Sequence, residues 1–233
     1  MAGFEQTYAN RWSNLRNSHI ANLAELDALT VHSSPGDTSI SPADLFSLLP
    51  RVLPVGTTYI HDAVTLTADL ISQLQLTIPG TSFSKGGSGI GWAPGASIGY
   101  KLAHPEKFVC CVTGDGAFLL SSPASVYLAA ERLKTPFLTI VLNNGGYKAT
   151  RKALQDVHPD GVAVHASDEQ LGSGFGAEEG AAPGYVGIAF AASGGRLSGR
   201  SVNQRQDLKW ALQLAVHEVS VEGRGAVMEV TLR

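Results

Sequence analysis

Residues 108–147 read FVCCVTGDGAFLLSSPASVYLAAERLKTPFLTIVLNNGGY, and the rest of the chain is organised around this stretch. It contains two short apolar runs, residues 108–113 and 137–142, and both are rich in β-branched residues. Runs of this length and composition predict strands that are buried on both faces, as in a parallel sheet. The segment between them, residues 125–133, predicts the crossover helix that joins two parallel strands.

Each run ends in a polar cluster that is rich in glycine. Gly114-Asp115-Gly116 follows the first run, and residues 143–147, NNGGY, follow the second. Because parallel strands end at the same edge of a sheet, we expect the two clusters to meet there, where open α/β sheets bind ligands. Taken alone, each cluster is more typical of a tight turn. Their matched positions, about one helix apart, favour a binding site instead.

The residue types in these clusters suit a metal ion that bridges a diphosphate. Asp115 offers a carboxylate and Asn144 a side-chain carbonyl, which are oxygen ligands of the kind that Mg2+ takes when phosphate and water complete its shell. Gly116 and Gly146 permit close backbone approach and positive φ. The N–H groups of a helix that opens after Ala117 can point at phosphate oxygens.

The composition predicts one α/β domain in a reducing compartment. A chain of 233 residues with 44% hydrophobic content can bury a sizeable core. The net charge of −3, without a basic run, argues against nucleic acid and an anionic membrane as partners.

Cys110 and Cys111 are adjacent on a predicted strand, so their side chains point to opposite faces and are not expected to pair. Because no apolar stretch has the length of a membrane span and the N-terminus lacks a signal-peptide core, we expect a cytoplasmic protein.

The N-terminal part predicts a helix ahead of the domain. Residues 6–29 carry apolar residues at helical spacing. We therefore expect residues 1–35 to form a lead-in helix and linker, and residues 36–233 to form the domain. Ser41-Pro42 predicts the start of the next helix, because proline is favoured in the first turn.

A first strand and its exit turn follow. Residues 57–61 predict the strand, and Asp62 opens the turn into the next helix. Thr65 lies in this turn, where a helix cap is the more common role and contact with a phosphate is the alternative.

Residues 85–96, KGGSGIGWAPGA, form a glycine-rich segment before a predicted helix with Pro94 in its first turn. So many glycines predict a backbone that lies close to a flat or charged group. A dinucleotide-binding fingerprint is the alternative. It requires an acidic residue at the end of a following strand, whereas Glu106 lies before a strand.

The region after Tyr147 predicts a short basic helix and then a long loop, residues 157–183, of the kind that is functional or mobile. Residues 158–161, HPDG, favour a turn over a contact with the active centre. The C-terminal part completes a doubly wound sheet. Its predicted elements are a helix at 185–192, a strand at 196–202, a helix at 206–221 and a strand at 226–232.

The order GDG, then residues 117–142, then NN resembles the signature of thiamin diphosphate enzymes. Residues 36–232 resemble the C-terminal cofactor domain of the superfamily that contains acetolactate synthase, benzoylformate decarboxylase and pyruvate decarboxylase. The resemblance implies an α/β fold, a doubly wound and mainly parallel sheet with helices on both faces. It also implies thiamin diphosphate and Mg2+ as cofactors. The implied metal ligands are Asp115, the Asn144 side chain and the Gly146 backbone oxygen.

The resemblance further implies a cofactor-binding set. It comprises Val64, Thr65, Ser88, Gly89, Ile90, Gly114, Asp115, Gly116, Ala117, Asn144, Gly146 and Tyr147. Ile90 matches the apolar residue that wedges between the two rings of the cofactor, so its implied catalytic role is to shape the cofactor. Asp62 matches a position that usually holds Glu.

The resemblance implies partners as well. Enzymes of this superfamily decarboxylate or ligate 2-keto acids, and a Glu from an N-terminal domain activates the cofactor. No acid in residues 1–50 lies in a strand-and-helix context that could replace it. We therefore expect the chain to need a pyrimidine-binding domain or subunit, in a homo-oligomer or hetero-oligomer, and to be inactive alone. The alternative is a truncated, non-catalytic domain that binds cofactor or only assembles with other proteins.

Overall fold

The computed structural model describes residues 2–30, 36–87, 89–175 and 182–233. The chain divides into two compact units, Met1–Asp37 and Thr38–Arg233. In the first, helix α1 spans Ala2–Ala28, in the region where the sequence predicts a lead-in helix. The side chains of Tyr8, Trp12 and Leu15 are more than half exposed, so this helix buries little of its own apolar stripe.

The second unit alternates helices and strands, as the sequence predicts. Its elements are α2 (Pro42–Val52), β1 (Thr58–Asp62), α3 (Thr67–Leu74), β2 (Ser82–Ser84), α4 (Ala93–Ala103), β3 (Val109–Gly114), α5 (Asp115–Leu120), α6 (Pro123–Leu133), β4 (Leu138–Asn143), α7 (Lys148–Val157), α8 (Tyr185–Ala192), β5 (Ser198–Val202), α9 (Leu208–Ser220) and β6 (Ala226–Thr231). The predicted start of α2 is confirmed. The Ser41 hydroxyl accepts the Asp44 N–H at 3.2 Å, and the Asp44 carboxylate accepts the Ser41 N–H at 2.8 Å.

Within the described residues the strands form one six-stranded sheet in the order β2-β1-β3-β4-β6-β5, and every pairing is parallel. From β1 the chain first crosses to β2 on one side and then returns to β3 on the other. The direction of winding therefore changes between β1 and β3, which is the topological switch point where such sheets bind ligands. This arrangement confirms the predicted doubly wound α/β fold.

Two apolar layers cover the sheet. Tyr59 and Cys110 belong to the layer under α2, α3 and α9, whereas Ile60 and Cys111 belong to the layer under α4, α6 and α8. Both cysteines are free and fully buried, and they face opposite layers as predicted. Because both faces are covered, the central strands are apolar throughout, which is why they read as continuous apolar runs.

Three local features differ from the sequence predictions. The helix predicted to open after Ala117 begins at Asp115, so Gly116 is helical and does not need positive φ. Strand β2 was not predicted, because three residues are too short to show a period. The long loop contains more regular structure than predicted. It has a helical turn at Val162–Val164, and its Gly174 forms an isolated β-bridge with Gly146.

None of the helices in the described ranges combines the length and the apolar composition that a bilayer crossing requires.

Candidate functional site

The carboxyl ends of β1, β3 and β4 surround a small cavity of about 80 Å3. It brings together ten of the twelve residues predicted to bind cofactor. They are Val64, Thr65, Ile90, Gly114, Asp115, Gly116, Ala117, Asn144, Gly146 and Tyr147. Gly89 lies in the adjacent glycine-rich segment but does not line the cavity, and Ser88 lies outside the described residues. The prediction that the two polar clusters meet at one edge is confirmed.

Asp115 lies at the centre of this edge and is 3% exposed. One carboxylate oxygen, Oδ1, accepts the Gly116 N–H at 2.7 Å. The other, Oδ2, accepts the N–H groups of Asn144 at 3.2 Å and Gly146 at 2.9 Å. Burial raises the pKa of Asp115, and these backbone donors lower it in part. The carboxylate thus links the end of β3 to the loop after β4.

In the part of the chain that the structure describes, this buried acid has no partner with a full positive charge. Among the residues that the structure describes, no lysine, arginine or histidine forms an ion pair with Asp115. The backbone donors compensate the buried charge only in part, because the pKa of Asp115 is still raised overall. A bound cation would supply the rest of the compensation.

The two adjacent asparagines behave differently. Asn143 is engaged on both sides, since its Nδ2 donates to Glu229 at 2.8 Å and its Oδ1 accepts the Gly145 N–H at 3.1 Å. The Asn144 Oδ1 is buried and has no hydrogen-bond partner among the described residues. A buried carbonyl without a donor is uncommon and calls for a ligand. Beside Asp115 it completes an oxygen donor set that fits a hard divalent cation such as Mg2+.

The glycines at the site make room for close contacts. A Cβ on Gly116 would lie 2.5 Å from the Tyr147 ring, so only glycine lets that ring lie against α5. Gly146 has φ +143°, and a Cβ there would lie 2.0 Å from the Ser173 carbonyl oxygen. Close approach is therefore confirmed at both glycines, whereas positive φ is confirmed at Gly146 alone.

The turn after β1 carries backbone strain next to the cavity. Val64 has φ +51°, which is rare for a β-branched residue and costs about 1–3 kcal/mol. The cap role of Thr65 is wrong, because Leu66 is the N-cap of α3 and Ala63 precedes the helical turn Val64–Leu66. Thr65 is exposed and lines the cavity instead.

Asp62 has a different environment, although it ends the neighbouring strand. Its side chain is fully buried and forms an ion pair with Lys85 Nζ at 2.6 Å. Its other oxygen accepts the N–H groups of Gly91 at 2.6 Å and Trp92 at 3.3 Å. Both oxygens are therefore occupied, and Asp62 holds the two ends of the segment that presents Ile90, which is 38% exposed.

Sequence reasoning missed the contribution of α7. Lys148, Ala149 and Thr150 line the cavity together with Ala63. The signal was available, because this helix starts directly after Tyr147 and helix N-termini favour anions. The turn predicted at residues 158–161 is confirmed by a hydrogen bond from the Gly161 N–H to the His158 carbonyl at 3.0 Å, and His158 does not line the cavity.

A larger cavity of about 410 Å3 lies at the opposite edge of the sheet. Phe137, Leu197 and Gly225 line it, and each precedes a strand, so it lies at the amino ends of β4, β5 and β6. None of the predicted site residues lines it. The chemistry of the chain therefore points to the smaller cavity. That cavity is well below the about 300–1,000 Å3 of typical small-molecule sites.

Comparison with known proteins places this geometry in a family. The family described as "Thiamine pyrophosphate enzyme, C-terminal TPP binding domain" matches residues 65–228. Benzoylformate decarboxylase of Pseudomonas aeruginosa is 23% identical over 112 residues, which are 48% of this chain and 21% of that protein. The acetolactate synthase large subunit of Buchnera aphidicola is 31% identical over 137 residues, 58% of this chain and 21% of that protein. Pyruvate decarboxylase 3 of Arabidopsis thaliana is 40% identical over 58 residues, 25% of this chain and 10% of that protein.

Solved structures share the fold. A thiamine diphosphate-dependent 4-hydroxybenzoylformate decarboxylase of Rhodococcus jostii superposes with a TM-score of 0.70 at 22% identity, over 87% of this chain and 34% of that one. Benzoylformate decarboxylase of Polynucleobacter necessarius gives 0.64 at 18% identity, over 87% and 34% of the two chains. The chain thus spans about a third of these structures, and its matches span about a tenth to a fifth of the curated relatives.

Proposed function

This chain belongs to the thiamine pyrophosphate enzymes through their C-terminal TPP binding domain, and from this premise we propose that it binds the diphosphate of thiamin diphosphate through Mg2+. We propose further that it serves a 2-keto acid decarboxylase or carboligase of the acetolactate synthase type. The observation that carries the metal assignment is the uncompensated carboxylate of Asp115 beside the unpartnered Asn144 Oδ1.

In this proposal Asp115, the Asn144 side chain and the Gly146 backbone oxygen hold the metal. The donor set supports it, since it contains one charged and two neutral oxygens and leaves positions for phosphate and water. Val64 and Thr65, at the exposed turn after β1, contact the diphosphate. Because a free diphosphate is strongly anionic and the site is itself acidic, a bound Mg2+ would supply the positive charge that lets the two come together.

Bound thiamin diphosphate supplies the carbon nucleophile and the electron sink for 2-keto acid chemistry, and the protein supplies binding and orientation. Ile90 is the residue of this chain that shapes the cofactor, and its partial exposure beside the cavity supports that role. Asp62 does not replace the activating Glu, because its buried carboxylate is already paired with Lys85 and also accepts two backbone N–H groups.

The proton transfer to the cofactor is therefore assigned to a carboxylate of a pyrimidine-binding domain, in another subunit or elsewhere in a longer protein. The small volume of the cavity supports this assignment, because about 80 Å3 is well below the volume that typically encloses a small molecule. An assembly of two or more chains, as a homo-oligomer or a hetero-oligomer, would complete the site.

We also propose a cytoplasmic location, which the two free, buried cysteines support.

The test measures binding and turnover separately. The chain is titrated with thiamin diphosphate in Mg2+ by calorimetry, and CO2 release from pyruvate is followed with and without an added pyrimidine-binding domain of a related enzyme. We expect metal-dependent binding by the chain alone and turnover only after the addition. Turnover by the chain alone would contradict the assignment of the proton transfer to another domain. Asp62 would then be the first residue to mutate as a candidate for the activating acid. Binding that never leads to turnover with any partner would favour a non-catalytic cofactor-binding domain.

A further inference from the structure

An acid that sequence reasoning did not single out ties the segment after α7 to the site. We call residues 143–147 the metal-binding loop and residues 168–175 the clasp. The Asp168 carboxylate, at the start of the clasp, accepts hydrogen bonds from Lys148 Nζ, from Arg151 Nη1 at 2.9 Å and from the Ser173 hydroxyl at 3.2 Å. Lys148 and Arg151 form the first turn of α7, directly after the metal-binding loop.

The backbone of Asp168 also shapes the clasp. Its carbonyl oxygen accepts the N–H groups of Ser173 at 2.8 Å and Gly174 at 3.0 Å. One residue thus closes the clasp on itself through its carbonyl and fastens it to α7 through its carboxylate. The carboxylate is mostly buried, at 19% exposure, so solvent weakens these contacts less than those of a surface pair.

The clasp then pairs directly with the metal-binding loop. The Tyr147 N–H donates to the Ser173 carbonyl at 2.7 Å, and the Phe175 N–H donates to the Gly145 carbonyl at 3.1 Å. The Tyr147 and Phe175 rings meet edge to face, with centroids 4.8 Å apart. Hydrogen bonds on both sides of Gly146 therefore fix the residue whose backbone oxygen is the proposed metal ligand.

The metal-binding loop needs this support because its own backbone is permissive. Gly145 has φ +85° and Gly146 has φ +143°. Glycine adopts positive φ about as readily as negative φ, so these two residues do not by themselves fix the shape of the loop. The Gly146 position is also in contact with the clasp, since a Cβ would lie 2.0 Å from the Ser173 carbonyl oxygen. A loop held in its binding shape before the ligand arrives loses less entropy on binding.

The geometry points to Asp168 as a positioning residue that holds the metal-binding loop in its ligand-binding shape through the clasp. This role rests on the proposed function, because the ligand concerned is Mg2+ with thiamin diphosphate. Asp168 itself lies outside the cavity and touches neither the proposed metal ligands nor the reacting atoms.

The experiment compares Asp168→Asn with a matched control. Asp156→Asn removes an acid from α7 that is 61% exposed and pairs with Lys152 at 3.0 Å. Amide hydrogen exchange at Tyr147 and Phe175 is measured without ligand. Affinity for thiamin diphosphate in Mg2+ is then measured by calorimetry.

We expect Asp168→Asn to speed exchange at Tyr147 and Phe175 about tenfold or more, and to leave the amides of β3 and β4 unchanged. We expect it to weaken Mg2+-dependent binding about tenfold, because the loop must be ordered when the ligand binds. Asp168→Glu keeps the charge and should retain affinity within about threefold. Asp156→Asn should change neither measurement.

Two results would overturn the role of Asp168. One is wild-type exchange at Tyr147 and Phe175 in Asp168→Asn, and the other is faster exchange with unchanged affinity. A wild-type chain that binds no thiamin diphosphate in Mg2+ would refute the proposed function and the ligand part of this inference, whereas exchange would still decide whether Asp168 holds the loop. If Asp168→Asn does not fold, Arg151→Gln removes one donor and should give the same pattern at smaller size.

Discussion

Asp62 and Asp115 end neighbouring parallel strands and are both buried, yet their surroundings differ in one respect. Asp62 has a cation, Lys85 at 2.6 Å, in addition to two backbone donors. Asp115 has three backbone donors and, among the described residues, no cation. The first carboxylate is complete as folded, and the second lacks a counter-charge. Residue type and burial are the same at both positions, so compensation is what separates a structural acid from a candidate ligand.

The free energies follow the same division. Removing one partner of a buried ion pair costs about 3–5 kcal/mol, because the other charge remains buried. Asp115 resembles such a broken pair until a cation binds. Its raised pKa is the electrostatic sign of that state, since burial disfavours the charged form. Asp62 therefore contributes to stability in the chain alone, whereas under the proposed function the metal would supply the counter-charge of Asp115.

The largest expected effect is the loss of binding in Asp115→Ala. We expect affinity for thiamin diphosphate in Mg2+ to fall about 100-fold or more, equivalent to about 2.7 kcal/mol, because the charged metal ligand is gone. Calorimetry measures this loss. Thermal unfolding checks that the variant folds, since three N–H groups lose their acceptor.

Two control variants sharpen the contrast. Asp62→Asn should still bind thiamin diphosphate in a metal-dependent way, because Asp62 is not one of the proposed metal ligands. His158→Ala should bind as the wild type does, since His158 lies in the turn at the end of α7 and does not line the cavity. Equal losses in Asp62→Asn and Asp115→Ala would break the distinction between the two acids.

The next effect concerns stability without any ligand. Lys85→Met should lower the free energy of unfolding by about 2–4 kcal/mol, because it leaves the Asp62 carboxylate buried without its cation. Asp62→Asn combined with Lys85→Met should recover part of that loss, since the uncompensated charge is then removed. Urea unfolding of the four proteins gives the coupling. Additive losses would mean that the pair does not act as a unit.

Metal removal should give a moderate effect that depends on the presence of Asp115. At a ligand concentration 100 times the dissociation constant, Mg2+ with thiamin diphosphate should stabilise the fold by about 2.7 kcal/mol, and Tm should rise by roughly 5–10 °C for a chain of this size. EDTA should abolish the rise. An identical rise in EDTA and in Mg2+ would contradict the metal assignment, and a rise that persists in Asp115→Ala would do the same.

Ile90→Ala should have the smallest effect on binding. The Ile90 side chain is partly exposed and lies next to Gly91, at one end of the segment that Asp62 holds. Its truncation removes little buried apolar area, so affinity should change by no more than about threefold. In a reconstituted complex, turnover should fall further than affinity, because the reacting groups lose their orientation. Lost affinity with unchanged turnover per bound cofactor would instead make Ile90 a binding residue.

Most of the fold could be predicted because its strands and helices carry local signals. The apolar runs before Gly114 and Asn143 predict the central strands, and the Ser41-Pro42 start predicts α2. The site edge could also be predicted, since parallel strands place their carboxyl ends together. Two features could not be predicted from periodicity. Strand β2 has only three residues, and the helix that begins at Asp115 is short and contains Gly116 in its first turn.

From the sequence alone follow the order of the longer helices and strands, the sheet edge at which the polar clusters meet, and the presence of two acids, Asp62 and Asp115, at that edge. Only the tertiary structure decided which acid is compensated and what supports the metal-binding loop. Lys85 lies 23 residues from Asp62, and Asp168 lies 20 residues from Lys148. Contacts of this kind depend on where loops return to the sheet edge. Neither helical nor strand periodicity specifies that return, so the pairing of charges has to be read from the folded chain.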